Sequence, residues 1–192
     1  MYQQIDKYVN KCISLTKEEL EYFHSFLQYK KVKKKSFLLR AGEKCDFEAY
    51  IIKGCVRVYY VDENGFEVDF LFAVEDWWIS DIASFSQQKP ATLFIETIED
   101  SELLLIDYKS KEALFKKVPK FERLFRLMIQ KAYETMMDRL IANISKPAPQ
   151  RYQDFVKKYP TIPQRVPQHL IAAYLGVSPE FLSKIRTRLS KT

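Results

Sequence analysis

Five side chains near the end of the chain have the types and spacing to meet nucleic acid. If a helix starts at Pro179, then Glu180, Ser183, Lys184, Thr187 and Arg188 fall on one face and present an acceptor and several donors. Such a face suits base edges and phosphates, and it has the dimensions to enter a major groove. An ordinary helical hairpin with a solvated basic face is the competing reading that periodicity leaves open.

The elements that would hold this face can be read around Gly176. An apolar-periodic run ends at Leu175 and a new start follows at Ser178, so the turn needs a residue tolerant of positive φ. Ser178 is a good N-cap, Pro179 suits the first helical position and Glu180 complements the helix dipole. Ile171, Leu175, Val177, Leu182, Ile185 and Leu189 form facing apolar stripes, and Ala172 allows close approach. Together they predict a helix-turn-helix whose second helix runs from Pro179 to about Ser190.

Charge weighs against the innocent hairpin. Residues 111–192 carry 17 Lys or Arg against 6 Asp or Glu, a net of +11, whereas residues 1–110 carry 14 against 19, a net of −5. The overall +6 hides a strongly basic C-terminal part, the expected footprint of a nucleic-acid-binding end on a domain with another task.

At 192 residues the chain holds a core-forming domain and a small appendage. It has no long uncharged apolar stretch and no signal pattern at Met1–Asp6, so a cytoplasmic protein without a membrane partner is expected. Cys12, Cys45 and Cys55 are an odd set without Cys-x-x-Cys spacing, which argues against a disulfide framework, zinc or an iron–sulfur cluster. They read as spectator thiols, with a Cys45–Cys55 pair left open.

Thr16-Lys-Glu-Glu19 is a capping-box pattern and predicts a helix over about 17–28. The lysine-rich run Tyr29–Lys35 reads as part of an edge strand, where lysines discourage pairing with other chains. From Phe37 to Asp107, short segments rich in Val, Ile, Tyr and Phe alternate with turn signals. Val56–Val61 and Phe66–Phe72 flank Asp62–Gly65 as a hairpin, and Thr92–Thr97 and Glu102–Ile106 supply later strands. This is a sandwich, jelly roll or barrel. After Pro119 comes a long helix without Gly or Pro until Pro147. Phe125, Ile129, Ala132, Met136, Leu140 and Ile144 recur along it, and about 25 residues would span about 38 Å. Its stripe is expected to meet its twin in a homodimer. Pro147-Ala-Pro149 then sets a boundary, and Tyr152, Phe155, Val156 and Tyr159 define a supporting helix.

The order of β-roll, long helix and helix-turn-helix, with Val166–Leu189, resembles the Crp/Fnr family of transcription regulators across essentially the whole chain. The stretch from Gln150-Arg-Tyr-Gln-Asp-Phe155 to Gly176 is similar to the branch common in Bacteroidetes-type bacteria. Only Thr161–Arg165 stands where other members carry a β-hairpin wing. The resemblance implies an α+β fold with an N-terminal double-stranded β-helix of cyclic-nucleotide-binding type, a dimerisation helix at about 120–145 and a C-terminal helix-turn-helix. It divides the chain into a sensor domain over 1–146 and a DNA-binding domain over 147–192. It further implies a homodimer on a two-fold-symmetric duplex, RNA polymerase as a further partner, and a small-molecule effector. By position, base reading falls on Glu180 and Lys184, with Pro179 replacing a frequent Arg. Glu180 can accept from a cytosine amine and Lys184 can donate to guanine, while Gln168, Ser178 and Arg188 are phosphate-contact candidates.

The family's cyclic-nucleotide members hold the ligand with a Gly-Glu pair and a following Arg-Ser or Arg-Thr. Here Ser80-Asp81 stands in the first place and Ala91-Thr92 in the second, with Lys89 close by. The phosphate-binding arginine is absent, and Lys lacks its planar fork, so cyclic nucleotide is disfavoured and no cofactor is implied. Trp77 and Trp78 read as packing residues. His24 and His169, the only histidines, read as structural or surface groups, which removes haem sensing. Residues 29–119 contain no histidine, so a metal-dependent cupin enzyme is not expected. The remaining alternative is a β-roll that binds a ligand or assembles with partners without reading DNA.

Overall fold

The computed structural model describes residues 2–189. Two short helices, α1 (Gln3–Asn10) and α2 (Lys17–Ser25), lead into strands β1 (Gln28–Val32), β2 (Phe37–Leu39), β3 (Phe47–Lys53), β4 (Val56–Val61), β5 (Glu67–Ala73) and β6 (Trp78–Ile79). Helix α3 (Ile82–Gln87) precedes β7 (Phe94–Thr97) and β8 (Ser101–Asp107). Then follow α4 (Tyr108–Lys117), α5 (Lys120–Ser145), α6 (Ala148–Lys158), α7 (Ile162–Arg165), α8 (Gln168–Leu175) and α9 (Pro179–Leu189).

The strands form two antiparallel four-stranded sheets, ordered β1-β8-β3-β6 and β2-β7-β4-β5. Strand periodicity assigns the core. On β3, Phe47, Ala49 and Ile51 enter the layer between the sheets, where they meet Val56, Val58, Ile95 and Leu103. Tyr50, between them in sequence, points the other way and packs with Leu104, Ile106, Phe23, Leu114 and Phe121 under the helices. Covered on both faces, β3 is buried from Phe47 to Ile51 and loses the polar alternation of a half-exposed strand.

Lysines line one edge strand of the β-roll and the turn that follows it. β1 is the outer strand of one sheet and β2 of the other, so the run Tyr29–Lys35 lies on an edge as its composition predicts. Asp100 fastens the turn between them, accepting from Lys33 Nζ at 2.7 Å and from the Lys34 amide at 2.9 Å. In the β4–β5 turn, Asp62 Oδ1 accepts from the amides of Asn64 and Phe66 at 2.9 and 2.8 Å, and Gly65 takes φ +84°.

Four helices go beyond the sequence reading, α1, α3, α4 and α7, and one is shorter than expected. The capping box at Thr16 forms, but α2 stops at Ser25 rather than about 28, because Gln28 already pairs with Leu105 as the start of β1. Asp107 caps α4 by accepting from the Ser110 amide, a signal present in the sequence. The long helix keeps its expected extent, with 26 residues. Pro147 ends it and at once opens α6, in which proline occupies the first turn. No strand lies between α6 and α8 among the described residues, only the one-turn α7.

Cys45 and Cys55 are both buried with free thiols and sit in separate cores. Cys45 lies between the sheets, and Cys55 lies beneath the C-terminal helices, so the open pairing is not formed. Trp78 packs edge-on against Phe125, and Trp77 against Tyr159. His24 meets Asp6 at 2.7 Å and stacks on Tyr2, while His169 is exposed.

Candidate nucleic-acid interface

The turn between α8 and α9 closes by backbone hydrogen bonds that only a left-handed residue permits. Gly176 has φ +66° and ψ +41°, its amide donates to the Ala173 carbonyl at 3.2 Å, and the Val177 amide donates to that of Ala172 at 3.0 Å. Ser178 Oγ then accepts from the Phe181 amide at 3.2 Å, which caps α9 as its sequence predicts. Ile171, Ala172, Leu175, Leu182 and Ile185 are buried between the helices.

This packing turns one polar face outward. Glu180, Ser183, Lys184, Thr187 and Arg188 are all exposed on α9, with Ser178 and Pro179 exposed at its start. Hydrogen bonds from its own backbone amide and with Ser178 hold the Glu180 carboxyl below its ordinary value, so it is a charged acceptor at neutral pH. The Thr187 hydroxyl donates to the Ser183 carbonyl at 3.0 Å. Gln168 stands apart at the start of α8, half-buried, with its Oε1 enclosed and without a hydrogen bond. Ser190, the expected end of α9, lies outside the described residues. On the flank of the same face, Phe181 is 44% exposed, a residue that pattern reading passed over because one apolar residue breaks no periodicity.

Two arginines that sequence reasoning missed fix this unit to the β-roll. Arg165, at the end of α7, reaches Glu75 through Nη1 at 2.7 Å and Nη2 at 3.0 Å, and Glu99 through Nη2 at 2.7 Å and Nε at 3.1 Å. Burial opposes ionisation of Glu75, yet Arg165 and the Gly54 amide outweigh it and hold the carboxyl below its usual value. Gly54 is required there: it has φ +112°, and a Cβ would stand 2.2 Å from Ser101 Oγ. Arg139 of α5 donates to the carbonyls of Phe70, Asp69 and Tyr174 at 2.5, 3.0 and 2.7 Å, with its guanidinium 3.9 Å from the Tyr174 ring centroid. Beneath these contacts, Cys55, Phe72 and Ile98 of the β-roll share one apolar cluster with Phe155, Val166, Ile171 and Leu182.

The ligand cassette has a different character. Asp81 is 4% exposed and its carboxylate caps α3 by accepting from the Ser84 amide at 3.0 Å. Ser80 Oγ donates to the Phe47 carbonyl at 2.9 Å. Ala91 is buried, its backbone paired with Gly42 and Glu43, while Lys89 and Thr92 are exposed. These residues do not fit a cyclic nucleotide: the pair expected to face the ribose spends its polar atoms inside the fold, and Ala91 stands at the position the resemblance gives to the arginine. The buried guanidinium of the β-roll is instead Arg57 on β4, which pairs with Glu67 at 2.6 Å and Glu96 at 2.7 Å.

Comparison with known proteins agrees with this geometry. Residues 29–118 match the cyclic nucleotide-binding domain family. The cAMP-activated global transcriptional regulator CRP of Escherichia coli O6:H1 is 30% identical over 117 residues, covering 61% of this chain and 55% of CRP. The chain thus spans about half the length of the curated relatives it matches. Among solved structures, the c-di-GMP responsive global regulator CLP of Xanthomonas campestris superposes with a TM-score of 0.73, at 15% identity and 92% coverage of both chains. A putative Crp/Fnr-family regulator from Eubacterium rectale gives 0.72 at 16% identity, covering 92% of this chain and 84% of its own.

The class so defined is the β-roll protein whose roll is similar to a cyclic nucleotide-binding domain. Its fold and element order, from β-roll through long helix to helix-turn-helix, are similar to those of these Crp/Fnr-type regulators.

Proposed function

We propose that the protein is a DNA-binding transcription regulator acting as a homodimer on a two-fold-symmetric site, and not an enzyme. The observation that carries this reading is the exposed face of α9, capped at Ser178 and set on a C-terminal part of net charge +11. Residues 1–146 form the sensor and dimerisation part, and residues 147–192 form the reading head. Glu180 and Lys184 contact bases, and Ser183 and Thr187 lie beside them on the groove face. Ser178, Pro179, Arg188 and Gln168 border the phosphates. RNA polymerase is the further partner, in keeping with the transcriptional regulation printed for CRP. The cassette from Ser80 to Thr92 does not hold a cyclic nucleotide.

Selection of bound sequences from a random duplex pool, at two salt concentrations, tests this. A two-fold-symmetric consensus and affinity that falls steeply with salt are expected. Absence of salt-dependent duplex binding rejects the reading in favour of an assembly module.

A further inference from the structure

A cavity of about 350 Å³ opens between the C-terminal half of α5, α6 and the end of α8. Its walls hold two guanidiniums, Arg139 and Arg151, with the aromatic rings of Phe155, Tyr159 and Tyr174. The two lysines and two aspartates of the lining are already matched, Lys146 with Asp154 at 2.7 Å and Lys158 with Asp138 at 3.6 Å. The arginines are not. Among the described residues, Arg139 bonds to carbonyl oxygens and Arg151 Nη1 to Asn143 Oδ1 at 3.0 Å, so neither guanidinium hydrogen-bonds a carboxylate. Arg151 Nε is buried with no hydrogen-bond partner.

Two cations that share a half-enclosed space without a counter-charge are costly. Burial lowers the Arg139 pKa, and repulsion from Arg151 lowers it further. The carboxylate acting on Arg139 is Asp69 on β5, which burial itself pushes toward the neutral form. An incoming oxyanion would meet guanidinium donors that no carboxylate occupies and would relieve the repulsion.

We propose that this cavity binds a small organic oxyanion, a carboxylate or phosphate ester, whose head group lies between Arg139 and Arg151 and whose body rests on Phe155 and Tyr159. Its volume lies within the range of small-molecule sites. At 100° per residue, Asp138 and Ala142 lie about half a turn from Met136, Leu140 and Ile144, whereas Arg139 and Asn143 border that stripe. Arg139 also joins β5 to α8, which places the ligand at the junction of sensor and reading head.

Calorimetric titration of the full chain with benzoate and with phenyl phosphate, at constant ionic strength, tests the site without recourse to DNA. Saturable binding of at least one probe is expected, and the stronger of the two names the head group. Neutral benzyl alcohol should not bind. Arg151→Gln should weaken binding by about tenfold or more, since hydrogen bonds to charged groups are worth that much. Asn143→Asp gives the guanidinium its own carboxylate, so it should lose binding without lowering the melting midpoint. Failure of both anions to saturate, binding of benzyl alcohol, or wild-type affinity in either variant overturns the proposal.

Discussion

Asp69 is fully enclosed on β5, and neither carboxyl oxygen has a hydrogen-bond partner; the nearest cation, Arg57 Nη1, stands 3.7 Å away. Burial outweighs the attraction of Arg57 and pushes its pKa up to about 7. A folded-state value above the unfolded one means that the folded chain holds a proton the unfolded chain has released. Asp69 therefore removes stability as pH rises between about 4 and about 7. Asp69→Asn should abolish that loss, worth on the order of a few kcal/mol, and melting midpoints at about pH 5 and about pH 8 measure it. Parallel pH profiles for variant and parent would show that Asp69 does not titrate in this range. On α9 the deciding residue is Lys184, exposed and one turn from Glu180. Lys184→Ala should lower specific affinity by about 1–3 kcal/mol and relax one position of the selected site. Unchanged selectivity in the same selection would remove Lys184 from the reading face.

At the scale of elements, the reading head is held by ion pairs that join segments far apart in the chain. Arg165 replaces solvent for Glu75 and Glu99 with a two-carboxylate fork, half-exposed, so much of its Coulombic gain is screened. Arg165→Ala leaves two carboxylates facing each other and should loosen α6–α9 by about 1–3 kcal/mol. Amide exchange should quicken in those helices while β3 and β8 keep their protection; uniform protection would show that the apolar cluster alone holds the head. Legibility follows the range of the interactions. Gly176, Ser178 and the Thr16 box act within a few residues, so their turn and caps could be read directly. The hairpin at Asp62–Gly65 could be read for the same reason. Arg165 meets residues 90 and 66 positions away, and Arg139 meets carbonyls 69 and 70 positions away. No local spacing announces such pairs. The cassette was legible by its missing arginine, whereas the capping role of Asp81 depends on α3, a helix of six residues too short to show a period.

Across the whole molecule, the long helix carries two unlike sides. Its N-terminal part is anchored in the β-roll core through Phe121, Leu124 and Phe125. Beyond that, Met136 is 66% exposed, Leu140 52% and Ile144 80%, an apolar stripe left uncovered among the described residues. A stripe of this kind is what a two-fold axis along the helix would bury, and in such an interface each substitution counts twice. Fully burying one such side chain is worth about 1.5–3 kcal/mol. Met136→Glu forfeits that gain on both protomers and places two carboxylates near the axis. The dissociation constant of the dimer should rise by about a hundredfold or more, at 1.4 kcal/mol per decade. Sedimentation velocity over a concentration series reads the change as a shift from dimer to monomer. Because Met136 faces outward in the single protomer, the secondary structure of the variant should match the parent, which separates lost association from misfolding. A variant that still sediments as the parent dimer would place the two-fold contact elsewhere, and the paired reading of DNA would then need a different axis.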